Sequence, residues 1–462
     1  MSAASHRFPA SRAEWHRHVL FLAFPIVLAN LTQPILAAVD TAVAGHLPDQ
    51  AALGGVALGG VLFSFLFWGF GFLRMGTTGL VAQAHGAQDA AGLRDALLRA
   101  LLLAFAIGAI VLLLQGPLIG GGLSLLGGSE AVQAHALAYS SARIWSAPLA
   151  LGNYVILGYL LGRQRVRVGL LLQVWINLVN ILVVLLLVYR FDLGVGGIGA
   201  ATAVADGAGF VLGIALLWLM RERAPERSAG PPSWAGLLAP AALSRMMLIN
   251  RDIFLRTVCL LGSFAWFARA GADQGDLVLA ANAVLLNFQS FMACGLDGFA
   301  HASEALVGAA VGARDRAALR ASIRVSMLWA AIGAAGFSLV YALAGESIIG
   351  LLTDQPELRA AAASYLPWAA LLPLASVAGF LLDGVFIGAT RTRELMQAMV
   401  LCSISFVALA FGLKALWGNH GLWLALLLFM VLRGLVLWLM LPRIGRDLAL
   451  PSAAAPSASP GA

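Results

Sequence analysis

Five acidic residues lie within or beside long apolar segments of the sequence: Asp40, Asp206, Asp297, Glu304 and Asp383. An ionisable side chain in such surroundings is costly to maintain and is by default a candidate functional site. A carboxylate flanked by an amide and a hydroxyl suits a proton or a small cation. Asp40, Asn180 and Thr202 provide that combination if the elements that carry them bring them to one depth.

Those elements are predicted to be membrane-spanning helices. Of the 462 residues 61% are hydrophobic and 11% are charged, whereas soluble proteins carry about 25% charged residues. A span needs about 20 mostly apolar residues. Spans are therefore predicted near 18–45, 52–77, 95–115, 134–158, 167–189, 195–220, 246–270, 277–300, 321–344, 361–387, 395–416 and 420–441.

The basic residues indicate the orientation of these helices. Most arginines fall in connections on one side, and the connections on the other side hold Arg190, Arg359 and Lys414. Basic loops stay in the cytoplasm, so both termini are predicted to be cytoplasmic in a bacterial inner membrane. The net charge of +7 is explained by this topology, and no nucleic-acid partner is expected. The first apolar run continues into a span, so no cleavable signal peptide is expected.

The chain contains an internal repeat with an offset of 226 residues. Residues 77–97 resemble residues 303–323 without a gap. Matching pairs include Gly86/Gly312, Asp89/Asp315, Gly158/Gly384 and Arg167/Arg393. Six helices per half give both halves the same orientation, an arrangement typical of transporters. The sequence predicts an all-α integral membrane protein of two parallel six-helix bundles related by pseudo-twofold symmetry.

The predicted organisation has five parts. A cytoplasmic tail covers residues 1–17, and the first bundle covers 18–220. A proline- and glycine-containing linker covers 221–245. The second bundle covers 246–442, and a disordered tail rich in alanine, serine and proline covers 443–462.

Several loop motifs resemble the multidrug and toxic compound extrusion (MATE) family. The likeness is carried by Ala44–Gly45, by Leu80–Val81 with Gly86, by the repeat Leu306–Gly308 with Gly312, and by the turn Gly194–Ala201. Segments 280–287, 295–306 and 382–390 resemble its DinF branch. The resemblance implies a cation-coupled exporter.

The depths of three residues support a coupling site. Asp40 lies about 9 Å inside the first predicted helix at 1.5 Å per residue, and Asn180 and Thr202 share that depth. The resemblance implies that these residues form the family's cation site. Many members carry a second carboxylate at the position of Val184. Its absence favours protons over Na⁺, which needs several oxygen ligands, and Asn177 is a further candidate for the network.

Other polar residues receive open interpretations. Asp206 either extends the polar path from Thr202 or bonds a neighbour. Pro25 and Pro34 interrupt the first helix and form either a moving hinge or a static kink. The family resemblance implies a moving hinge at Pro25. Residues of the eighth helix either line a substrate cavity or pack in the core, and these are Asn282, Asn287, Gln289 and Met292.

The remaining charges in this part of the chain favour structural roles. Asp297 and Glu304 flank the glycine-rich exit of the eighth helix, and Asp383 is expected to anchor loop backbone or an arginine. Arg251, Asp252 and Arg256 are expected to form an interfacial cluster or, less favoured, a cytoplasmic gate. No metal role is expected for His46, His85 or His301 at loop edges.

We therefore predict a secondary antiporter that exports amphipathic or cationic small molecules in exchange for protons. A monomer in the lipid bilayer is expected, without cofactor, metal or ATPase subunit, since no G-x-x-x-x-G-K-[ST] loop is present. The nearest alternative is a lipid-linked precursor flippase, which needs cavity arginines. Arg74, Arg143 and Arg269 are candidates, but they are interpreted as lying close to span ends.

Two further alternatives are less favoured. A major-facilitator-type transporter lacks support because its basic loop between the second and third helices is absent. A membrane-embedded enzyme would need a motif such as H-E-x-x-H or G-x-S-x-G, and a channel would need a re-entrant filter segment.

Overall fold

The computed structural model describes residues 8–221 and 233–447, and within them the side chains of residues 33–35, 221 and 447 are not described. Parts of both predicted tails and of the predicted linker therefore lie outside the described residues. The described residues form helices joined by short turns.

The N lobe consists of nine helices. They are α1 (Arg12–Gly45), α2 (Gln50–Gly69), α3 (Phe72–Gly86), α4 (Ala90–Leu113), α5 (Gln115–Leu126), α6 (Glu130–Arg143), α7 (Ala147–Gly162), α8 (Val166–Leu185) and α9 (Gly194–Arg221). A 3₁₀ turn at Ile144–Ser146 joins α6 to α7, and a π turn at Leu186–Arg190 follows α8.

The C lobe follows the short helix α10 (Trp234–Leu237). Its helices are α11 (Pro240–Ala272), α12 (Asp276–Gly312), α13 (Arg316–Leu352), α14 (Pro356–Gly388), α15 (Thr392–Met440) and α16 (Pro442–Asp447). We call the side on which α1 begins and α16 ends the terminal side, and the other side the far side.

Twelve crossings follow from these helices. Eleven helical stretches of the described residues are long and apolar enough to span a membrane, and the last of them, Thr392–Arg446, has 55 residues. Its backbone is non-helical at Trp417 and at Gly418, whose φ is +57°. Because one crossing takes about 20 residues, this stretch crosses twice, as the predicted boundary between 416 and 420 requires.

Three predicted helix ends are wrong. The ninth helix was expected to end near residue 344, but α13 continues to Leu352. The second and eighth helices were expected to end near residues 77 and 300, but α3 and α12 continue to Gly86 and Gly312. Gly86 and Gly312, which were interpreted as loop signals, end these helices and allow close packing, because a Cβ atom on either would strike the backbone of the other lobe. Helix α5 was not predicted.

The 226-residue repeat is visible in the backbone of both lobes. Gln88 and Arg314 have φ values of 54° and 56° at equivalent turns. The caps that follow are equivalent too. Asp89 accepts a hydrogen bond from the N–H of Gly92 at 2.9 Å, and Asp315 accepts one from Ala318 at 2.9 Å.

The lobes contact each other on the terminal side through glycines of α3 and α12. A Cβ atom on Gly86 would strike the carbonyl oxygen of Ala309, and one on Gly312 would strike that of Gln83. These contacts are equivalent under the offset, since 83 and 86 map to 309 and 312. The Gln83 side chain also donates across the seam to the Gly388 carbonyl at 3.1 Å.

Each lobe has its own apolar core. Phe63, Tyr139 and Leu151 belong to the N-lobe core, and Phe267 and Trp423 belong to the C-lobe core. A third cluster joins α1 to α12, α13 and α14 near the terminal side. The two halves therefore pack as separate bundles that meet at one end.

Candidate functional site

A cavity of about 140 Å³ lies inside the N lobe, between α1, α2 and α6–α9. Its polar lining contains most of the N-lobe residues predicted to do chemistry. The lining residues with polar side chains are Arg143, Asn153, Tyr154, Gln173, Asn177, Asn180, Thr202 and Asp206. The sequence therefore identified Asn177, Asn180, Thr202 and Asp206, and it missed Asn153, Tyr154 and Gln173.

Hydrogen bonds connect the lining residues across α8 and α9. The Asn180 amide donates to the Thr202 hydroxyl at 3.1 Å, and one turn away the Gln173 amide donates to Asn177 at 3.2 Å. Helix α7 joins the network because the Asn153 amide donates to the backbone carbonyl of Asp206 at 2.9 Å. The predicted adjacency of Asn180 and Thr202 is thus present in the structure.

Several buried polar atoms of this site have no hydrogen-bond partner among the described residues. They are Asp40 Oδ1, Asn153 Oδ1, Asn177 Nδ2 and Asn180 Oδ1. Buried polar groups are normally satisfied, and those that are not call for an explanation such as a bound ion or water. Three of the four are oxygens, so the site can accept a proton or hydrogen-bond donors.

Asp40 lies at the edge of this site and does not line the cavity itself. It is partly buried on α1, five residues before the helix ends at Gly45. The charge of Arg143 acts on Asp40 and also on Asp206. One guanidinium therefore acts on both carboxylates, and both interpretations of Asp206, as part of the polar path or as a partner of a neighbour, stay predictions.

Arg143 is the main residue whose position was misjudged. It was placed near a span end, but the crossing Glu130–Gly162 continues on both sides of it. Arg143 packs over the Phe63 ring at 4.7 Å and donates to the Tyr139 hydroxyl. Its place inside the predicted span 134–158 was the signal that could have identified it.

The two predicted hinge prolines differ in what can be said of them. Helix α1 runs from Arg12 to Gly45 without a break, so Pro25 sits within a continuous helix. The side chain of Pro34 lies outside the described residues. Five residues after Pro25, the Asn30 side chain donates to the Cys294 carbonyl of the C lobe at 3.1 Å.

The four candidates on α12 do not form one cavity surface. The buried Asn282 exchanges hydrogen bonds with Asn419 at 2.8 and 2.9 Å and accepts one from Trp423. Met292 is fully buried in the C-lobe core, and Gln289 is 8% exposed. Asn287 is exposed and bonds to its own helix. Asn282 and Met292 therefore correspond to the packing interpretation.

The predicted interfacial cluster is also different in the structure. Arg256 is buried and pairs with Asp383, which pairs in addition with Arg433 at 2.8 Å. Asp252 contacts Arg251 at 2.8 Å near the terminal side. The reason is that α11 begins at Pro240, so Arg256 lies about 24 Å along the helix and inside the bundle. Asp383 does anchor arginines.

Asp297 and Glu304 lie inside α12 and not at its exit, because the helix continues to Gly312. His301, between them, is likewise inside the helix and not at a loop edge. The Arg74 guanidinium of α3 donates to His301 Nε2 at 2.8 Å and lies 3.9 Å from Glu304. Arg269 is near the far end of α11, as predicted.

The sequence was compared with protein families and with characterised relatives. The family described as MatE matches residues 25–186 and 253–411, which is more than half of the chain. DNA damage-inducible protein F of Escherichia coli (strain K12) is 42% identical over 429 residues, covering 93% of this chain and 91% of that protein. The probable multidrug resistance protein NorM of Photorhabdus laumondii is 26% identical, covering 92% and 95%.

Solved structures show the same fold. The MATE transporter VcmN of Vibrio cholerae in its bent form has a TM-score of 0.82 at 19% identity, covering 95% of this chain and 99% of that chain. A MOP superfamily transporter from Pyrococcus furiosus has a TM-score of 0.83 at 16% identity, covering 96% and 100%. From its sequence matches, this chain belongs to the MATE family of multidrug and toxic compound efflux transporters.

Proposed function

We propose that this protein is a secondary antiporter that exports amphipathic or cationic small molecules in exchange for protons. The observation that carries the proposal is the polar N-lobe cavity beside Asp40, whose Oδ1 atom is buried without a partner in the described part of the chain. A carboxylate in that position is stabilised when it binds a proton, because the proton neutralises its charge. The proton is taken up from the periplasm and released to the cytoplasm, on which side both termini lie.

The composition of the site supports protons over Na⁺. Val184, at the position where many family members carry a second carboxylate, is fully buried in the apolar core. The cavity also contains the Arg143 guanidinium, whose positive charge repels a metal cation at close range. A proton needs one titrating group and tolerates this neighbour, because it neutralises the carboxylate and adds no free charge.

Arg143 also keeps one alternative open for test. A flippase for a lipid-linked anionic precursor needs arginines that face the cavity, and Arg143 meets that requirement. Arg256 and Arg433 do not, because both are buried against Asp383 in the other lobe. Among the described residues, Arg143 is the one arginine that lines the N-lobe cavity, and Arg269 lines a separate cavity of the C lobe. The absence of an arginine cluster in one cavity of the described chain favours the antiporter.

Ethidium transport by everted membrane vesicles tests the proposal. Their cytoplasmic face is outward, so export appears as accumulation of the dye in the vesicle lumen. Wild type and Asp40→Asn are compared under an imposed pH gradient and under an imposed Na⁺ gradient. Efflux driven by the pH gradient and abolished in Asp40→Asn is the expected result, because an amide cannot bind and release the proton. Glu346→Gln, which removes an exposed carboxylate of the C lobe, is the matched control and should transport normally.

Each other outcome contradicts a specific part of the proposal. Full efflux by Asp40→Asn would show that Asp40 is not part of the coupling site. Efflux driven only by the Na⁺ gradient would show that the coupling ion is not a proton. If neither gradient moves the dye, a lipid-linked precursor becomes the substrate to assay, with Arg143→Gln as the variant expected to fail.

A further inference from the structure

A second group of titratable side chains lies where the two lobes meet, and none of them lines the N-lobe cavity. Arg74 belongs to α3 of the N lobe, and His301 and Glu304 belong to α12 of the C lobe. Arg74 Nη2 lies 2.8 Å from His301 Nε2, and Arg74 Nη1 lies 3.9 Å from Glu304 Oε2. Since arginine only donates, His301 Nε2 must accept, and the imidazole is neutral.

Glu304 is held in an incomplete environment. Its side chain is 1% exposed, and among the described residues neither of its carboxylate oxygens has a hydrogen-bond partner. Arg74 Nη1 has none either. A buried ion pair repays its desolvation only with good geometry and further hydrogen bonds. In the described part of the chain, the ion pair of this carboxylate is the 3.9 Å contact with Arg74 across the seam.

Charged groups from several helices act on this carboxylate. The charges of Arg74 from α3, Arg256 from α11 and Asp297 from α12 act on it, and the Thr78 hydroxyl of α3 lies beside it. Asp297 in turn interacts with Asp383 of α14 and Arg433 of α15. With guanidiniums this close, a metal cation is repelled, and among the described residues no group of three metal-binding side chains exists. The ligand that fits Glu304 is a proton.

The position of this group relates it to movement of the lobes. Glu304 lies eight residues, about 12 Å, before the end of α12, on the side where Gly86 and Gly312 contact the opposite lobe. Opening the terminal side separates α3 from α12 and with them Arg74 from Glu304. Water then reaches the carboxylate from the terminal side.

We propose that Glu304 is a second proton-binding site, and that its ionised form pairs with Arg74 to hold the lobes together on the terminal side. Binding of a proton neutralises the carboxylate, removes its attraction to Arg74 and favours opening on that side. The inference rests on the proposed function only in assuming that the lobes separate during transport. The site differs from Asp40 in lobe, depth and partner.

A distance measurement between the lobes tests this without any transport assay. Ala91 and Ala317 are exposed, equivalent under the 226-residue offset, and lie at the starts of α4 and α13 on the terminal side. Both are changed to cysteine and spin-labelled in a full-length background in which Cys259, Cys294 and Cys402 are alanine. Pulsed electron paramagnetic resonance then records the distance distribution in nanodiscs across a pH series.

Wild type should show a short distance at high pH and a growing long-distance population as the pH falls. Glu304→Gln and Arg74→Gln should each show the long-distance population at every pH, and combining them should add little. Glu304→Asp should keep the pH response, since it retains a titrating group. Asp40→Asn should keep it too, so a failed antiport assay leaves this result unaffected.

Three results overturn the proposal. A wild-type distribution that does not change with pH removes the proton switch. If Glu304→Gln responds to pH like wild type, Glu304 is not the proton-binding group. If His301→Gln alone loses the pH response, the His301 imidazole is the proton-binding group instead. Glu346→Gln is the control for the loss of a carboxylate and should match wild type.

Discussion

The two lobes share a backbone plan but use their polar residues in opposite ways. In the N lobe, amides and hydroxyls surround a cavity together with Arg143 and Asp206. At equivalent positions the C lobe carries aromatic rings: Asp40 corresponds to Trp266 and Asn180 to Phe406, whose rings are in edge contact at 5.8 Å. The C lobe has a cavity as well, of about 390 Å³ beside Trp266, but Arg269, Asp273 and Lys414 supply its charged side chains. The buried charges of the C lobe are instead paired, as in Arg256–Asp383–Arg433.

The two lobes therefore show two different consequences of burying polar groups. Unpartnered groups at the edge of a cavity can exchange protons or ligands, whereas a charge in a packed core must be neutralised in place. The N lobe therefore has the composition of a binding site. The C-lobe core has the composition of a scaffold, with Glu304 at the seam as the group that departs from it.

The largest expected effect is on the stability of the C lobe. Asp383→Asn leaves the buried guanidiniums of Arg256 and Arg433 without a counter-charge, and breaking such a pair costs about 3–5 kcal/mol. We expect a clear fall in melting temperature and yield, measured by fluorescence-detected size-exclusion chromatography after heating. Asp40→Asn, the same substitution in the N lobe, should leave the melting temperature close to wild type. Equal losses in both variants would contradict the distinction between the lobes.

The next effect concerns the seam, where the lobes should respond alike. Gly86→Ala and Gly312→Ala each place a methyl group against a backbone carbonyl of the opposite lobe, which cannot yield as a side chain would. Both should lower the melting temperature by similar amounts. Gly336→Ala is the control, because nothing lies within 4 Å of its Cβ position. There alanine should be neutral or stabilise the exposed helix by about 0.5–1 kcal/mol. A harmless Gly86→Ala would show that the lobes are not in contact there.

The smallest effect compares equivalent polar positions in α8 and α15. Asn177 lines the N-lobe cavity, and its counterpart Ser403 accepts a hydrogen bond from Ser263 at 3.1 Å inside the C lobe. Asn177→Ala should reduce pH-driven efflux about tenfold, which corresponds to about 1.4 kcal/mol. Ser403→Ala should leave efflux unchanged. A larger loss of efflux in Ser403→Ala than in Asn177→Ala would show that the coupling network lies in the C lobe, which contradicts the comparison.

Much of the fold was predictable from the sequence. The low charge content and apolar runs predicted the spans, and the 226-residue offset predicted the two bundles. Both patterns work because a membrane demands long apolar helices and because a duplicated bundle keeps its glycines where helices touch. The break between the last two crossings was also located, although α15 is nearly continuous there.

The candidate site was predictable where depth along a helix determines proximity. Asn180 and Thr202 were matched by counting residues from the helix ends, and their side chains bond directly. Counting failed for Arg143 and Arg74, because the crossings that contain them extend beyond the apolar windows. It failed also for Asn282, since an amide on a helix face can bond within a lobe as readily as it can line a cavity.

The sequence by itself determined the membrane environment, the twelve crossings, the repeat and the family of this protein. These follow from local composition and from periodic patterns, which do not depend on how the helices turn toward one another. The tertiary structure decided which polar groups are paired. It placed Arg143 where its charge acts on Asp40 and Asp206. It also joined Arg256 and Arg433 through Asp383 and brought Arg74 to Glu304 across the lobes. Pairing depends on helix rotation and on contacts between distant parts of the chain, and Arg74 and Glu304 are more than 200 residues apart in sequence. The physical reason is that buried charges are stable only where the packing of distant helices supplies their partners.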